Sequence, residues 1–136
     1  MPHKTVGDLM HKGVIACSPD TAMDEVVRIV NDTSVHAIVV IDEQSQPIGV
    51  VAHMDIIRLY GEDLSHYQAR DAMSGPVIAI ETDQPAAHGA ELMQEHGVER
   101  LLVVETEGDR MTPVGMLSTT DLVKDMRGAR WIWHVS

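Results

Sequence analysis

The apolar positions of this chain come in short runs separated by polar, turn-forming stretches, and the succession occurs twice. Val14-Ile15-Ala16 reads as a short strand, and Ser18-Pro19-Asp20-Thr21 punctuates it and offers caps to a following helix. In that helix Ala22, Val26, Ile29 and Val30 recur at helical spacing, with Asp24, Glu25 and Arg28 on other faces. The runs at 38–41 and 101–104 lack polar alternation, as expected of strands covered on both faces or of short buried segments. Asp42 to Pro47 and Thr106 to Pro113 are rich in polar and turn-forming residues, and each predicts a hairpin loop. Asp55-Ile56-Ile57-Arg58-Leu59 and Asp121-Leu122-Val123-Lys124-Asp125 read as short amphipathic helices. The predicted order is β-α-β-β-α, twice.

The repetition extends to residue identities. Asp8-Leu9-Met10 recurs as Asp71-Ala72-Met73 and Val14-Ile15-Ala16-Cys17 as Val77-Ile78-Ala79-Ile80, both 63 positions later. Beyond the apolar runs the offset becomes 66: Ile48-Gly49-Val50-Val51 matches Val114-Gly115-Met116-Leu117, and Asp55 matches Asp121. Three residues have entered the second copy between the runs, and a hairpin loop is where such insertions are expected. The polar stretch from Gly61 to Arg70 marks a junction. The division expected is a first repeat over 1–62, a linker over 63–70, a second repeat over 71–127 and a tail over 128–136. About sixty residues is marginal for independent stability, so the repeats are expected to share a core face.

Composition narrows the function classes. A hydrophobic content of 44% supports a folded core, and with no Phe and only two Trp and two Tyr that core must be aliphatic. A net charge of -11 disfavours a nucleic-acid partner, and the ten basic residues form no amphipathic stretch suited to an anionic membrane. With Cys17 as the sole cysteine and no apolar stretch of signal-peptide or membrane-span length, a soluble cytoplasmic protein is expected.

The sharpest motif is Gly115-Met116-Leu117-Ser118-Thr119-Thr120-Asp121-Leu122. A glycine-led strand end lets a ligand approach the backbone, and the three hydroxyls and free N–H groups at the next helix start favour an anion. The Asp121 carboxylate can accept two hydrogen bonds, as the vicinal hydroxyls of a ribose offer, although helix capping by Thr119, Thr120 and Asp121 is the competing role.

Taken with the duplicated β-α-β-β-α order, this motif makes the chain resemble the CBS (cystathionine-beta-synthase) domain pair, or Bateman module, from about Thr5 to Met126. The resemblance implies an α/β fold of two βαββα repeats related by pseudo-two-fold symmetry, with small sheets packed against helices. It further implies a regulatory module, not an enzyme, that binds an adenosine nucleotide such as AMP, ADP or ATP between the repeats. In such pairs adenine lies against the first strand of a repeat, which here is Val77, Ile78 and Ala79, or Val14, Ile15 and Ala16. A basic residue before the second strand meets the phosphate, and Arg100 holds that place; a surface pairing with Glu99 or Glu95 competes for it. The main site is therefore expected from Val77, Ile78, Ala79, Arg100, Ser118, Thr119, Thr120 and Asp121.

The first repeat departs from the pattern. Ala52 replaces the expected hydroxyl and Ala37 stands where Arg100 stands in the second repeat, so a weaker, empty or less anion-selective site is expected from Val14, Ile15, Ala16, His36, His53 and Asp55. The two histidines are candidates to make up the missing contacts. Alternatives remain open: a sensor of S-adenosylmethionine or NAD, or a dimerisation module without a ligand.

Other constellations carry less. His88, Glu91 and Glu95 share a helix face, but the same helix buries Ala86, Ala90, Leu92 and Met93, which makes that face a solvated one, and no metal or required cofactor is assigned. Cys17 lacks a partner and a basic neighbour, and no nucleotide-binding loop or hydrolase motif occurs, so no residue is nominated as catalytic. Trp131 and Trp133 in the tail are two apart, fit either to cover the chain's own core or to anchor a subunit contact. CBS pairs commonly form flat two-fold dimers, so a homodimer is expected, with a further protein effector to read out the ligand.

Overall fold

The elements follow the predicted order, with additions at the start of each repeat. The computed structural model describes residues 4–127. The first repeat contains α1 (Val6–Leu9), β1 (His11–Lys12), β2 (Ala16–Cys17), α2 (Met23–Thr33), β3 (Ala37–Ile41), β4 (Pro47–Ala52) and α3 (His53–Ile57). After a 3-10 turn at Leu64–His66 come α4 (Ala69–Ala72), β5 (Ala79–Glu81), α5 (Ala86–His96), β6 (Arg100–Glu107), β7 (Arg110–Ser118) and α6 (Thr119–Arg127). One sheet has the order β2-β3-β4 and the other β1-β7-β6-β5, with β2 parallel to β3 and β5 parallel to β6, and with β3–β4, β6–β7 and β1–β7 antiparallel.

The two unbroken apolar runs become central strands because both of their faces are covered. Along β3, Ile38 and Val40 pack with Met23, Val26 and Val30 of α2, while Val39 between them points the other way. Along β6, Leu101 and Val103 join Ile80, Met93 and Leu117, while Leu102 and Val104 meet Val39. Alternation along a strand sends successive side chains to opposite faces, so each run feeds its own helical layer and one shared layer between the sheets. Full burial of each such side chain is worth about 1.5–3 kcal/mol, and the shared layer gives each half apolar cover it could not form alone.

The repeats also exchange their opening segments. Val6, fully buried, packs in the core of the second repeat, and Ala69, 63 positions later and equally buried, packs in the core of the first. The backbone bonds match pair for pair. Val6 N donates to Gln84 O and Ala69 N to Thr21 O, both at 2.8 Å; Gly7 N donates to Thr82 O and Arg70 N to Pro19 O, both at 2.9 Å. Such reciprocity is what a pseudo-two-fold axis between the repeats requires. A capping box fixes α1: Asp8 N donates to Thr5 Oγ1 and Thr5 N to the Asp8 carboxylate, which these bonds hold below the usual carboxylate range.

Three local expectations are corrected. Met23, not Ala22, is the fully buried residue opening the α2 face. The stretch 61–70 is more than polar connection, since Leu64, Tyr67 and Ala69 pack against the first core. The insertion lengthens strands instead of a loop: the β6–β7 ladder continues to Glu107 opposite Arg110, leaving a connection of Gly108 and Asp109, whereas β3 and β4 are joined by residues 42–46. The extra rungs reach the first hairpin, where Met111 N donates to Gln46 Oε1 at 2.9 Å and Arg110 Nη2 to Gln44 O at 3.2 Å. Turn-forming composition gave no warning, because Thr106, Glu107 and Arg110 satisfy the ladder through backbone groups alone.

Candidate functional site

The two buried aspartates lie where the last strand of each repeat meets its last helix. Asp121, 7% exposed, accepts from Ser118 N at 2.8 Å and Ser118 Oγ at 3.0 Å, and His11 Nδ1 lies 3.0 Å from its other oxygen. Asp55, 5% exposed, accepts from Ala52 N at 2.8 Å, Arg58 Nη1 at 2.8 Å and Ser74 Oγ at 2.5 Å. Both carboxylates are thus helix caps, and buried polar atoms of this kind need their partners; of the two, Asp55 also lines a cleft. His11 and Ser74 are 63 apart, so each is the neighbour that the exchanged segment lays against the aspartate of the opposite repeat. Ser74 takes at Asp55 Oδ1 the place that His11 takes at Asp121 Oδ1, whereas Ala52 offers Asp55 Oδ2 its backbone N–H alone where Ser118 offers N–H and hydroxyl.

The glycines of the motif serve this exchange. Gly49 and Gly115 lie within β4 and β7, not at turns. A Cβ on Gly115 would collide with the His11 carbonyl and stand 2.7 Å from Met10 Sδ, and one on Gly49 would stand 2.5 Å from Met73 Sδ. The close approach expected of a ligand is made by the chain itself: His11 pairs with Met116 and Lys12 with Gly115 as β1 joins β7, and Ser74 forms the matching bridge with Val50.

Two clefts open between the repeats, and each draws on both. The first, about 510 Å3, is lined by His11, Lys12, Val14, Ile15, His36, Ala37, Arg100, Met116 and Ser118. The second, about 560 Å3, is lined by Ala52, His53, Asp55, Arg58, Ser74, Val77, Ile78, Glu99 and Arg100, among others. Either volume lies within the range of small-molecule sites. The sequence grouped each first strand with the turn of its own repeat; the structure brings Val14 and Ile15 to Ser118, and Val77 and Ile78 to Asp55. Pairing across the axis follows from the segment exchange, which a linear comparison of the repeats does not reveal.

Several expected residues stand apart from the clefts. Ala16 is exposed on β2 and pairs with Val39, and Ala79 lies in the layer between the sheets. Thr119 and Thr120 are exposed at the start of α6, where Thr119 N donates to Glu99 O at 2.9 Å. Asp121 stands behind His11 at the first cleft. His36 and His53 approach edge to face with ring centroids 5.5 Å apart, one lining each cleft and both lining a third groove of about 550 Å3 with Val27, Val30 and Ile56.

Charge separates the clefts. No carboxylate lines the first, and among the described residues neither the Lys12 ammonium nor the Arg100 guanidinium forms an ion pair. The expected competitor pairing of Arg100 with Glu99 or Glu95 is not made. Two cations without an ion-pair partner, in a chain with net charge -11, make this hollow a local positive site. The second cleft carries Asp55 and Glu99 beside Arg58, which is already bound to Asp55. Sequence reasoning missed His11, Lys12, Arg58 and Ser74; the 63-residue offset was the available signal, since it sets Ser74 against His11.

Elsewhere on the chain, His88 lies 3.7 Å from Glu91 on the exposed side of α5, and no group of three or more metal-ligating side chains occurs among the described residues. Burial raises the Cys17 thiol above its ordinary range, which suppresses the thiolate. Trp131 and Trp133 lie outside the described residues. No helix of the described residues is long and apolar enough to cross a membrane.

Comparison with known proteins gives the same fold. An uncharacterised protein of Methanopyrus kandleri is 27% identical over 123 residues, covering 88% of this chain; the chain spans 61% of that relative. Among solved structures, the CBS domain pair of protein MJ0100, in complex with 5'-methylthioadenosine and S-adenosyl-L-methionine, superposes with a TM-score of 0.82 at 21% identity, over 95% of this chain and 100% of that one. The cytosolic domain of the Mg2+ channel MgtE, in complex with ATP, superposes with a TM-score of 0.72 at 24% identity, over 90% of this chain and 48% of that one. The CBS domain family itself matches residues 6–62 and 69–128. With both repeats matched and the two halves folded as reciprocal βαββα units, the chain belongs to the CBS domain family and carries a pair of its domains.

Proposed function

We propose that this CBS pair is a regulatory module, without catalysis of its own, that binds a phosphorylated adenosine ligand such as AMP, ADP or ATP in the first cleft. The observation that carries the reading is the presence of Lys12 and Arg100, both without an ion-pair partner among the described residues, in a hollow that also holds Val14, Ile15, His36 and Ser118. Val14 and Ile15 offer an apolar wall to adenine, and Arg100 offers the forked donor set that suits phosphate oxygens. Ribose hydroxyls would displace His11 from Asp121 Oδ1, and the N-terminal end of α6 adds positive potential nearby. The MJ0100 and MgtE complexes support an adenosyl ligand in this fold, with and without phosphate. The second cleft, with Val77, Ile78, His53 and Asp55, takes the less charged member of that ligand class.

A single cysteine with a suppressed thiolate suits a reducing cytoplasm. Ligand binding acts on function by favouring one arrangement of the repeats, which a protein effector or a second copy of the chain reads.

The test is thermal unfolding with AMP, ADP, ATP, S-adenosylmethionine and NAD. A ligand at a hundredfold its Kd adds about 2.7 kcal/mol of stability. The expected result is a rise in midpoint with a phosphorylated adenosine ligand that falls sharply in Lys12→Ala and Arg100→Ala. Asp121 is the poorer choice for substitution, because its loss also removes a cap. No shift with any of the five overturns the proposal, and a larger shift with S-adenosylmethionine than with the nucleotides reassigns the ligand.

A further inference from the structure

A pair of related clefts ordinarily has a pair of related cations, and here it has one. Arg100 lines both clefts, and its counterpart 63 positions earlier is Ala37. The remaining cations divide unequally. The first cleft keeps Lys12, which has no ion-pair partner among the described residues, whereas the Arg58 guanidinium of the second is bound to Asp55 at 2.8 Å. Without Arg100, the second cleft faces an incoming phosphate with Asp55, Glu99 and a committed arginine.

From this arrangement we infer that the two clefts compete for Arg100, so that a phosphorylated adenosine ligand in the first cleft makes the second selective for an uncharged one. The inference rests on the adenosyl-ligand reading above and adds to it a coupling between sites. One guanidinium offsets only about half the charge of one phosphate monoester; a second anion arriving at the same residue meets both a used cation and a like charge. An uncharged nucleoside needs neither and enters the second cleft beside Val77 and Ile78 whether or not Arg100 is engaged. Coupling is reciprocal, so a phosphorylated ligand forced into the second cleft weakens the first by the same factor.

Isothermal titration calorimetry with AMP and adenosine tests this. For the wild-type chain the second AMP is expected to bind at least about tenfold more weakly than the first, inside the usual range of coupling between sites. Adenosine added after the first AMP step is expected to fill the remaining cleft with the affinity it shows for that cleft in AMP-free protein. In Arg100→Ala the first AMP step weakens by about tenfold or more and the gap between steps narrows to what Lys12 and the Asp55–Glu99 pair still impose, with unchanged circular dichroism showing that the fold is intact. Ala37→Arg supplies the missing cation and strengthens the second step; should that variant not fold, Arg100→Ala still decides. Two equal AMP steps in the wild type, or a gap that is as wide in Arg100→Ala as in the wild type, overturns the coupling and leaves the nucleotide reading standing. Binding of neither AMP nor adenosine overturns both.

Discussion

Ser34 closes α2 in the left-handed conformation, with φ 56° and ψ 25°, at the position where Gly97 closes α5 with φ 62° and ψ 37°. A side chain in that region costs about 1–2 kcal/mol in steric strain, which glycine avoids at some loss of chain entropy. Ser34→Gly is therefore expected to stabilise the chain by about 0.5–1 kcal/mol, and Gly97→Ala to destabilise it by about 1 kcal/mol; denaturant titration of both variants checks the opposite signs. The same residue-by-residue comparison explains why Ala52 leaves no gap in the polar network. Ala52 N donates to one oxygen of Asp55, and Arg58 and Ser74 both donate to the other, so that carboxylate still receives three hydrogen bonds.

At the scale of elements, the opening segments lock the repeats together. β1 lies so close to β7 that a Cβ on Gly115 would meet the His11 backbone carbonyl, which cannot rotate away, whereas a Cβ on Gly49 would meet the flexible side chain of Met73. Gly115→Ala is expected to cost about 1–3 kcal/mol and Gly49→Ala less. It should also separate β1 from β7 and carry His11 and Lys12 out of the first cleft. Urea unfolding gives the stability order; loss of AMP binding in Gly115→Ala, with retention in Gly49→Ala, gives the consequence at the site. Equal costs in the two variants would show that the exchanged strand has more freedom than its contacts imply.

For the whole molecule, several of the large apolar side chains left exposed recur at matching positions of the two repeats. Ile57 and Tyr60 at the end of the first repeat correspond, 66 positions later, to Val123 and Met126 on α6, and all four are more than half exposed. A face built from symmetry-related positions suits an isologous contact with a second copy, in which the same patch serves both partners. Sedimentation equilibrium is expected to give twice the chain mass of 14.9 kDa, and Ile57→Glu with Val123→Glu to return it to one chain. A monomeric wild type would leave the face for a different partner.

Much of the architecture was legible in the sequence because hydrophobic periodicity is a local property. The unbroken runs at 38–41 and 101–104 could be read as two-faced strands, and the duplicated Gly-to-Asp motif located both aspartates. The extra rungs of the second hairpin were hidden because backbone hydrogen bonds accept almost any side chain. The composition of the clefts was hidden for a different reason. Whether Ser118 faces Val14 or Val77 depends on which repeat each opening segment crosses to, and the two choices have the same local sequence. By itself the sequence determined the repeated unit, its strands and helices and the residues with polar chemistry. Only the tertiary structure decided their partners, by packing Val6 into the second core and Ala69 into the first, which turned two similar halves into two clefts with one arginine between them.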